Sequence, residues 1–405
     1  MPINKTFNWE PDPLTFPFHD VIPGKVKMHT KKLDLKDWIR IDDTYPTQMN
    51  LRNKLIDEQL EDVFVSNHAP STVSAKREIF ETLVAHLTER FPDIFEIRGN
   101  YVYNLVREEA IPLSSKREIP LDNEREVPLD NKEEVPLDNE GEVHLDNEGN
   151  VPLGSEEEDD LIKAARLVQE DLCLMEWDEG EKQYVLTAAV LCFPSHWNLH
   201  EKWNKPMSAI HGPVPHFLKH LLTNVNSLFK AMKPEHSYWR ALWSVHSGIE
   251  DINALHTPAS ESVRSEYPIA EFEGEKTGFK LALRTEYQTL RKLKNTNSIL
   301  FGIRTYQRYL HEFTRYPLKD SVALLKAIEC MSDDQIEYKG GKYWRDTAMK
   351  YLKFTIENRK EKNKSFLSKN KYLSVALLFG VVSVFSLLTL RSKLSSSHFL
   401  IKPLM

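Results

Sequence analysis

The N-terminal part of the chain repeats apolar residues at helical spacing. Residues 51–65 and 74–95 both place apolar side chains three or four positions apart, which puts them on one face of a helix. In the second range the apolar residues that step by four are Ile79, Leu83, Leu87 and Phe91. The pattern predicts two helices, with Ser74 as the N-cap of the second helix and Pro92 just past its end.

Strand patterns appear in the second half of the chain. Residues 183–193 form a continuous apolar run of strand length, which suits a strand buried on both faces. Residues 279–293 and 298–310 contain alternating side chains on either side of the turn-like sequence Lys-Asn-Thr-Asn-Ser. These two ranges predict the edge of a sheet or a pair of strands joined by that turn.

Helical patterns separate and follow the predicted strands. An amphipathic helix is expected to begin near residue 157, and further helices are expected over residues 215–232, 318–331 and 343–359. This order of elements predicts an α/β (α+β) body in which an antiparallel sheet is flanked by helices.

Residues 372–390 contain nineteen consecutive uncharged residues, and lysine or arginine residues lie on both sides of them. A helix of this length crosses the hydrocarbon core of a bilayer, so we predict a transmembrane helix; a buried core helix is the alternative. The basic linker 359–371 is richer in positive charge than the short tail 391–405, which places the N-terminal body in the cytosol. The expected membrane is the endoplasmic reticulum or the mitochondrial outer membrane.

An eight-residue repeat occurs six times between residues 110 and 157. A typical copy reads Glu-Val-Pro-Leu-Asp-Asn-Glu-Gly, and the six copies together hold 14 acidic and four basic residues. Each copy has too few apolar residues to bury a face, and proline recurs too often for a helix. We therefore predict that residues 110–158 form an acidic, disordered insertion that loops out of the domain.

Composition limits the possible function classes. The 405 residues are 41% hydrophobic, which suits a globular body, and the formal net charge is −7. Outside the acidic repeat the charge is only slightly positive, so nothing indicates nucleic-acid binding. The three cysteines, Cys173, Cys192 and Cys330, are far apart in sequence, which favours a reducing compartment, and Cys192 is expected to be an inert buried thiol.

Residues 191–217 concentrate four histidines and two tryptophans behind an apolar run. Two pairs with helical i, i+4 spacing could each bind a metal ion: His196 with His200, and His216 with His220. Neither pair has the glutamate of a zinc-protease motif, so ordinary surface or core histidines are the simpler interpretation.

His211 differs from these pairs because of its neighbours. Pro213 and Pro215 restrict the backbone on its C-terminal side, and Gly212 allows close approach. A haem iron requires a neutral imidazole that is held in one orientation within an apolar pocket. His211 is therefore a candidate axial ligand, although a histidine that is simply hydrogen-bonded remains the common alternative.

Five segments of the chain, taken in order, resemble the haem-dependent oxidative N-demethylase family. They are KKLDLKDWIRIDDTYPTQMNLRNKLI, QEDLCLME, CFPSHWNLHEKWNKPMSAIHGPVP, LRTEYQTLRKL and ILFGIRTY. The resemblance covers roughly residues 15–110 and 160–350. It implies a PAS-like antiparallel sheet with flanking helices, built from residues 1–109 and 159–358.

The same resemblance implies an oxidoreductase that contains haem b. Such an enzyme is a monooxygenase that uses O2 to oxidise an N-methyl amine and releases formaldehyde, with electrons from NADPH that arrive through a separate flavin and iron–sulfur reductase. We expect His211 to bind the iron, Arg284 and Arg304 to pair with the haem propionates or a reductant phosphate, and Glu286 to attract the cationic amine. For Glu286, an ion pair with a neighbouring arginine is the alternative.

Two other functions remain open at this stage. The chain could be a haem-binding, PAS-like sensor that does not turn over substrate, or a membrane-tethered interaction protein without a cofactor. The expected partners are membrane lipid, a small amine and a reductase on or near the same membrane, with no nucleic acid.

Overall fold

The computed structural model describes residues 28–113, 151–152, 158–257 and 269–364. The predicted transmembrane helix 372–390, the tail and most of the acidic insertion lie outside these ranges. Among the helices within them, none is long and apolar enough to cross a membrane. The mixed α/β architecture with antiparallel sheets and helices is confirmed.

The N-terminal part contains three helices and two short strands. In chain order they are β1 (Lys31–Lys32), α1 (Tyr45–Glu58), α2 (Leu60–Val63), β2 (Phe64–Ser66) and α3 (Pro70–Arg90). The helix predicted over 51–65 corresponds to α1, which begins and ends earlier in the chain. Residues 64–66 form β2 instead of helix, because they pair with residues 188–190 in a sheet. Tertiary pairing overrides the local helical spacing there.

The start of α3 corrects one detail of the sequence analysis. Pro70 occupies the first turn, where its missing N–H and fixed φ are favourable, and Ala69 is the N-cap. Ser74 lies inside the helix and donates its hydroxyl to the Pro70 carbonyl at 2.9 Å. The prediction of Ser74 as N-cap is therefore wrong by one turn of helix.

A second, four-stranded sheet follows α3. Its strands are β3 (Phe95–Arg98), β4 (Tyr101–Asn104), β5 (Glu109–Pro112) and β6 (Val151–Pro152), in that order. β5 and β6 are parallel neighbours that stand at the two ends of the acidic repeat. Both ends of the predicted insertion 110–158 therefore contribute to the sheet, Ala110 through β5 and Val151 through β6.

The main sheet holds the rest of the strands. After helix α4 (Asp160–Ala165) come β7 (Asp171–Asp178), β8 (Gln183–Val190), β9 (Tyr238–Ser247), β10 (Leu281–Lys292) and β11 (Ile299–Tyr309). The order across the sheet is β1-β9-β10-β11-β7-β8-β2, and all neighbours are antiparallel. The predicted strands at 183–193, 279–293 and 298–310 are confirmed as β8, β10 and β11, whereas β7 and β9 were not predicted.

Six helices complete the body. Three short helices connect β8 to β9: α5 (Met207–Ile210), α6 (Phe217–His220) and α7 (Leu222–Ala231). Three follow β11: α8 (Leu318–Glu329), α9 (Asp333–Tyr338) and a helix at residues 345–364, here called α10. The predicted helices at 318–331 and 343–359 are confirmed, and the one predicted at 215–232 is divided between α6 and α7.

Strand register divides the side chains of the main sheet between two faces. In β10, Arg284, Glu286 and Gln288 lie on one face, here called the front face, and the intervening Thr285 and Tyr287 lie on the other, the back face. The front face packs partly against α5–α7, and the back face packs against the N-terminal helices and the C-terminal helices. The apolar core therefore lies on both sides of the sheet.

Buried ion pairs fix the N-terminal segment to the main sheet. Arg304 of β11 contacts Asp42 at 2.8 Å, and Arg52 of α1 contacts Asp171 at 2.8 Å, with all four side chains almost fully buried. Glu170 lies beside them; one of its carboxylate oxygens accepts a hydrogen bond from the backbone N–H of Arg40, and the other has no hydrogen-bond partner in the described ranges. Removing one member of such a pair would leave a buried charge uncompensated.

Glu170 makes the stability of this region depend on pH. Burial raises its pKa to about 7 from the usual 4.5, although Arg304 partly offsets the effect. Because the folded state retains the proton more strongly than the unfolded chain, the free energy of unfolding falls as the pH rises from about 4.5 to about 7.

We therefore expect Glu170→Gln to be more stable than the wild type at pH 8, by roughly 1–3 kcal/mol, and to lose most of that advantage at pH 4.5. Urea unfolding at the two pH values measures the difference. Glu58→Gln, at an exposed carboxylate of α1, is the matched control and should follow the wild type. A Glu170→Gln protein that is less stable than the wild type at pH 8 would contradict the expectation.

Candidate functional site

His211 stands at the C-terminal end of α5, where its ring is held by two contacts. The Nδ1 atom lies 3.3 Å from the Met207 carbonyl oxygen, one helical turn earlier, and the ring stacks on Phe217 at a centroid distance of 4.3 Å. Burial, followed by the charge of Arg240, lowers the pKa of His211 to about 4. The imidazole is therefore neutral at neutral pH.

The tautomer of His211 follows from its neighbour. A neutral ring whose Nδ1–H donates to a backbone carbonyl keeps the lone pair on Nε2, which is the form that binds a metal. No hydrogen bond to Nε2 occurs within the residues that the structure describes. His211 therefore presents one ring nitrogen that is available as a ligand.

The backbone after His211 is stiff, as the prolines indicated. His216, between Pro215 and Phe217, has a left-handed backbone with φ of 66°, which is uncommon for a residue with a side chain. Gly212 is less critical than expected, because a Cβ atom there would meet only the Ser208 and Ala209 carbonyl oxygens, at 3.4 and 3.5 Å. The frame around His211 therefore comes from the prolines and from helix packing.

A polar cluster lies on the front face of β9 and β10. Arg240 donates from Nε to Gln288 at 2.7 Å, and Gln288 donates from its side-chain nitrogen to Glu286 at 2.7 Å. Burial lowers the pKa of Arg240, and Glu286 opposes that effect. Glu286 is therefore two residues along β10 from Gln288, the residue opposite Arg240, and the positive charge of Arg240 lowers the pKa of His211.

Arg284 is fully buried on the front face, next to this cluster. Its two terminal nitrogens donate to the carbonyl oxygens of Phe193 and Leu255, at 2.5 and 3.1 Å. The guanidinium thereby holds two loops against the sheet, and its Nε has no partner within the described ranges. Thr305 Oγ1 and Gln307 Oε1 are buried and unpartnered on the same face. Buried polar atoms that lack partners in the chain indicate a bound ligand or water.

Arg304 lies apart from the other predicted site residues. It pairs across the strands with Tyr287, so it belongs to the back face, and its guanidinium contacts Asp42, Gln48 and the Thr305 carbonyl. The structure thus gathers His211, Arg284 and Glu286 around the front face, and it does not bring Arg304 to them.

The two histidine pairs do not converge on a metal position. His196 bonds through Nε2 to His246, whereas His200 bonds through Nε2 to the Glu61 carbonyl. His216 instead approaches Asp334 at 3.7 Å. Within the described ranges, no group of three or more histidine, cysteine, aspartate or glutamate side chains could hold a metal ion.

Cys192 is buried in the segment that follows β8, as expected from the apolar run. Burial raises the pKa of its thiol to about 12, although Arg52 opposes the effect. The thiolate that reacts with electrophiles is therefore scarce at neutral pH.

Sequence reasoning missed Arg240, Ser244, His246 and Gln288. Three of them belong to β9, which was not predicted as a strand. The alternation of polar and apolar side chains in YWRALWSVHS was the available signal, because it places Arg240, Ser244 and His246 on one face.

The electrostatic link between Arg240 and His211 can be measured. In the protein without added ligand we expect Arg240→Met to raise the pKa of His211 above about 4, because a positive charge is removed while the effect of burial remains. Nuclear magnetic resonance of the histidine rings records the titration.

A matched control comes from His86, whose pKa is lowered to about 4 by burial and then by Arg291. Arg291→Met should raise the pKa of His86 and leave that of His211 unchanged. A His211 titration that stays the same in Arg240→Met would mean that the two side chains do not interact.

Comparison with known families gives one match. The family model for haem-dependent oxidative N-demethylase, alpha subunit-like, matches residues 29–349. A comparison with curated proteins gives no match. The match covers both parts of the described body, on either side of the acidic repeat, and includes every front-face residue named above. The chain therefore belongs to the haem-dependent oxidative N-demethylase, alpha subunit-like, family.

Proposed function

We propose that this chain is a membrane-anchored, haem-dependent oxidoreductase that oxidises an N-methyl amine. One N-methyl group, one O2, two electrons and two protons would give the shortened amine, formaldehyde and water. The observation that carries the proposal is the neutral, oriented imidazole of His211 beside the polar front face, in a chain whose family is haem-dependent.

The residues around His211 fit a haem group in three respects. His211 Nε2 is available for iron, Phe217 and the α5–α7 helices supply apolar packing, and buried Arg284 has an unpartnered Nε. Haem b, when bound, would supply the activation of O2. Arg240 and Arg284 would pair with the propionates, and we leave Arg304 out because its charge is paired with Asp42 on the back face.

Glu286 is the proposed amine-binding group. Its carboxylate accepts a hydrogen bond from Gln288, faces the same side of the sheet as Arg240, and is half-buried, so it retains the capacity to bind a cation. Within the described ranges it forms no ion pair shorter than 4 Å. A protonated amine held there would bring its methyl group to the front face.

The topology of the main sheet supports a PAS-like domain. The five central strands run β9-β10-β11-β7-β8, so the first of them in the chain, β7, lies inside the sheet next to the last, β11. The helices α5–α7, which carry His211, connect the second of these strands to the third and cover one face. In such an arrangement a ligand would lie between the sheet and its connecting helices.

Membrane attachment and electron supply complete the proposal. The uncharged residues 372–390 would anchor the protein as a single span with the body in the cytosol, at the endoplasmic reticulum or the mitochondrial outer membrane. A separate flavin and iron–sulfur reductase on the same membrane would deliver electrons from NADPH. Because both proteins would be attached to the same membrane, the effective concentration of each near the other would be higher.

The visible spectrum of the full-length protein tests haem binding. We expect a Soret band after haem reconstitution, and we expect His211→Ala to lose it or shift it strongly, because the iron loses its axial nitrogen. His200→Ala, an exposed histidine in the same segment, is the control and should keep the wild-type spectrum. A wild-type protein that shows no Soret band would instead support a tethered interaction protein.

Formaldehyde release tests turnover and the role of Glu286. With an artificial reductant, O2 and a panel of amines such as trimethylamine and dimethylamine, we expect the wild type to release formaldehyde. Glu286→Gln should raise KM by about 10-fold to 100-fold, the cost of losing a charge-assisted contact, and should keep the Soret band. Haem binding without formaldehyde release from any amine would favour a sensor, and an unchanged KM would exclude Glu286 from amine binding.

A further inference from the structure

Three side chains outside the haem and amine contacts form one continuous hydrogen-bonded chain. Ser244 Oγ lies 2.7 Å from His246 Nε2, and His246 Nδ1 lies 2.8 Å from His196 Nε2. The two imidazole rings are also close, with centroids 4.5 Å apart. Both nitrogens of His246 are therefore engaged, one toward each neighbour.

One end of this chain reaches the candidate site. Ser244 and His246 are two residues apart on β9, so both side chains lie on the front face. Ser244 is directly opposite Arg284 on β10, and Leu242, the next front-face residue of β9, is directly opposite Glu286. The Ser244 hydroxyl therefore adjoins the groups proposed to bind the haem and the amine.

The other end approaches the protein surface. His196 itself is partly exposed, whereas His246 is buried. The chain from Ser244 to His196 therefore connects the front face with a solvent-accessible imidazole.

His196 has an unfavourable backbone conformation, and hydrogen bonds of its own N–H and of Arg284 hold it in place. Its backbone is left-handed, with φ of 58°, and its N–H donates to the Thr257 carbonyl at 3.1 Å. Arg284 holds the preceding loop through the Phe193 carbonyl and the following loop through the Leu255 carbonyl. The structure thus maintains an unfavourable backbone conformation at the residue that completes the chain.

We propose that Ser244, His246 and His196 form a proton relay between the protein surface at His196 and the front face. This inference rests on the proposed oxidation, which consumes two protons and two electrons for each N-methyl group. His196 Nε2–H would donate to His246 Nδ1, His246 Nε2–H would donate to Ser244 Oγ, and the Ser244 O–H would donate to an acceptor on the front face. Each group gives up one proton and receives one, so the chain returns to its starting composition after solvent water supplies His196.

The relay accounts for the use of histidine at two of the three positions. An imidazole accepts a proton at one ring nitrogen and releases it at the other, which the amide of an asparagine cannot do. Structural hydrogen bonds alone would not require two titratable rings in series on the face that carries the site.

The coupling of oxygen use to product tests the relay in the haem-loaded full-length protein. With an artificial reductant and the amine of the panel that releases most formaldehyde, we expect Ser244→Ala to keep the wild-type Soret band. Its yield of formaldehyde per O2 consumed should fall by roughly 10-fold or more, as expected when a positioned proton donor is lost. Ser244→Thr, which retains a hydroxyl, should recover most of the yield, and His200→Gln should behave as the wild type.

A second measurement requires neither haem nor turnover. In ¹⁵N-histidine-labelled, haem-free protein, we expect a scalar coupling through the hydrogen bond between His196 and His246, which His196→Gln abolishes and His200→Gln preserves. The relay is overturned if the wild type lacks that coupling, or if Ser244→Ala keeps the wild-type yield of formaldehyde. It is also overturned if a fluorophosphonate labels Ser244 covalently, because that reaction would mark Ser244 as a nucleophile. If the wild type binds haem but releases no formaldehyde, the proposed oxidation itself is overturned. The relay then has no reaction to supply with protons, even when the coupling between His196 and His246 is present.

Discussion

The antiparallel register of β10 with β9 and β11 decides which side chains share a face, and the candidate site depends on it. A shift of one residue would send Arg284, Glu286 and Gln288 to the back face and would replace them with Thr285 and Tyr287. Ten paired positions with β9 and eleven with β11 fix that register. The apolar residues of the same strands are buried on both faces, so a slipped register would also expose core residues.

The arginines on the two faces of the main sheet differ in how their charges are compensated. On the back face, Arg304 loses hydration, but Tyr306, Asp42 and Glu170 outweigh that loss and raise its pKa. On the front face, burial lowers the pKa of Arg240 and Arg284, and neither has a carboxylate in contact. Paired charges hold the N-terminal segment to the sheet, whereas the unpaired ones leave capacity to bind an anionic group such as a propionate.

Short connecting helices bring His211 to this face. The α5–α7 segment buries Met207, Phe217, Val225 and Phe229 against the front-face apolar residues of β7, β8 and β11, which fixes the end of α5 beside the polar half of the face. The site is thus a boundary between an apolar half and a polar half of one sheet surface. That boundary suits a group such as haem, which has an apolar ring and charged edges, and it also explains why a polar relay can run along β9 without crossing the core.

Much of the fold could be predicted, because the apolar patterns that form α3, β8, β10, β11 and α8 are long and regular. The errors occur where tertiary contacts override local pattern: β2 ends a stretch that reads as helix, and β7 follows α4 so closely that the two read as one element. β9 was missed because Leu242 interrupts the polar alternation of Arg240, Ser244 and His246 along the strand. The missing strand hid three of the front-face residues.

The sequence by itself determined the composition of the site: a proline-framed histidine, and arginines and a glutamate in strand-like segments. Only the tertiary structure decided which of these side chains meet, because strand pairing sorts alternate residues to opposite faces. Arg284 and Arg304 look equivalent in sequence, yet the first holds the loops of the candidate site and the second is committed to Asp42. The chain of Ser244, His246 and His196 likewise joins residues 48 and 50 positions apart in sequence, and no local pattern contains that contact.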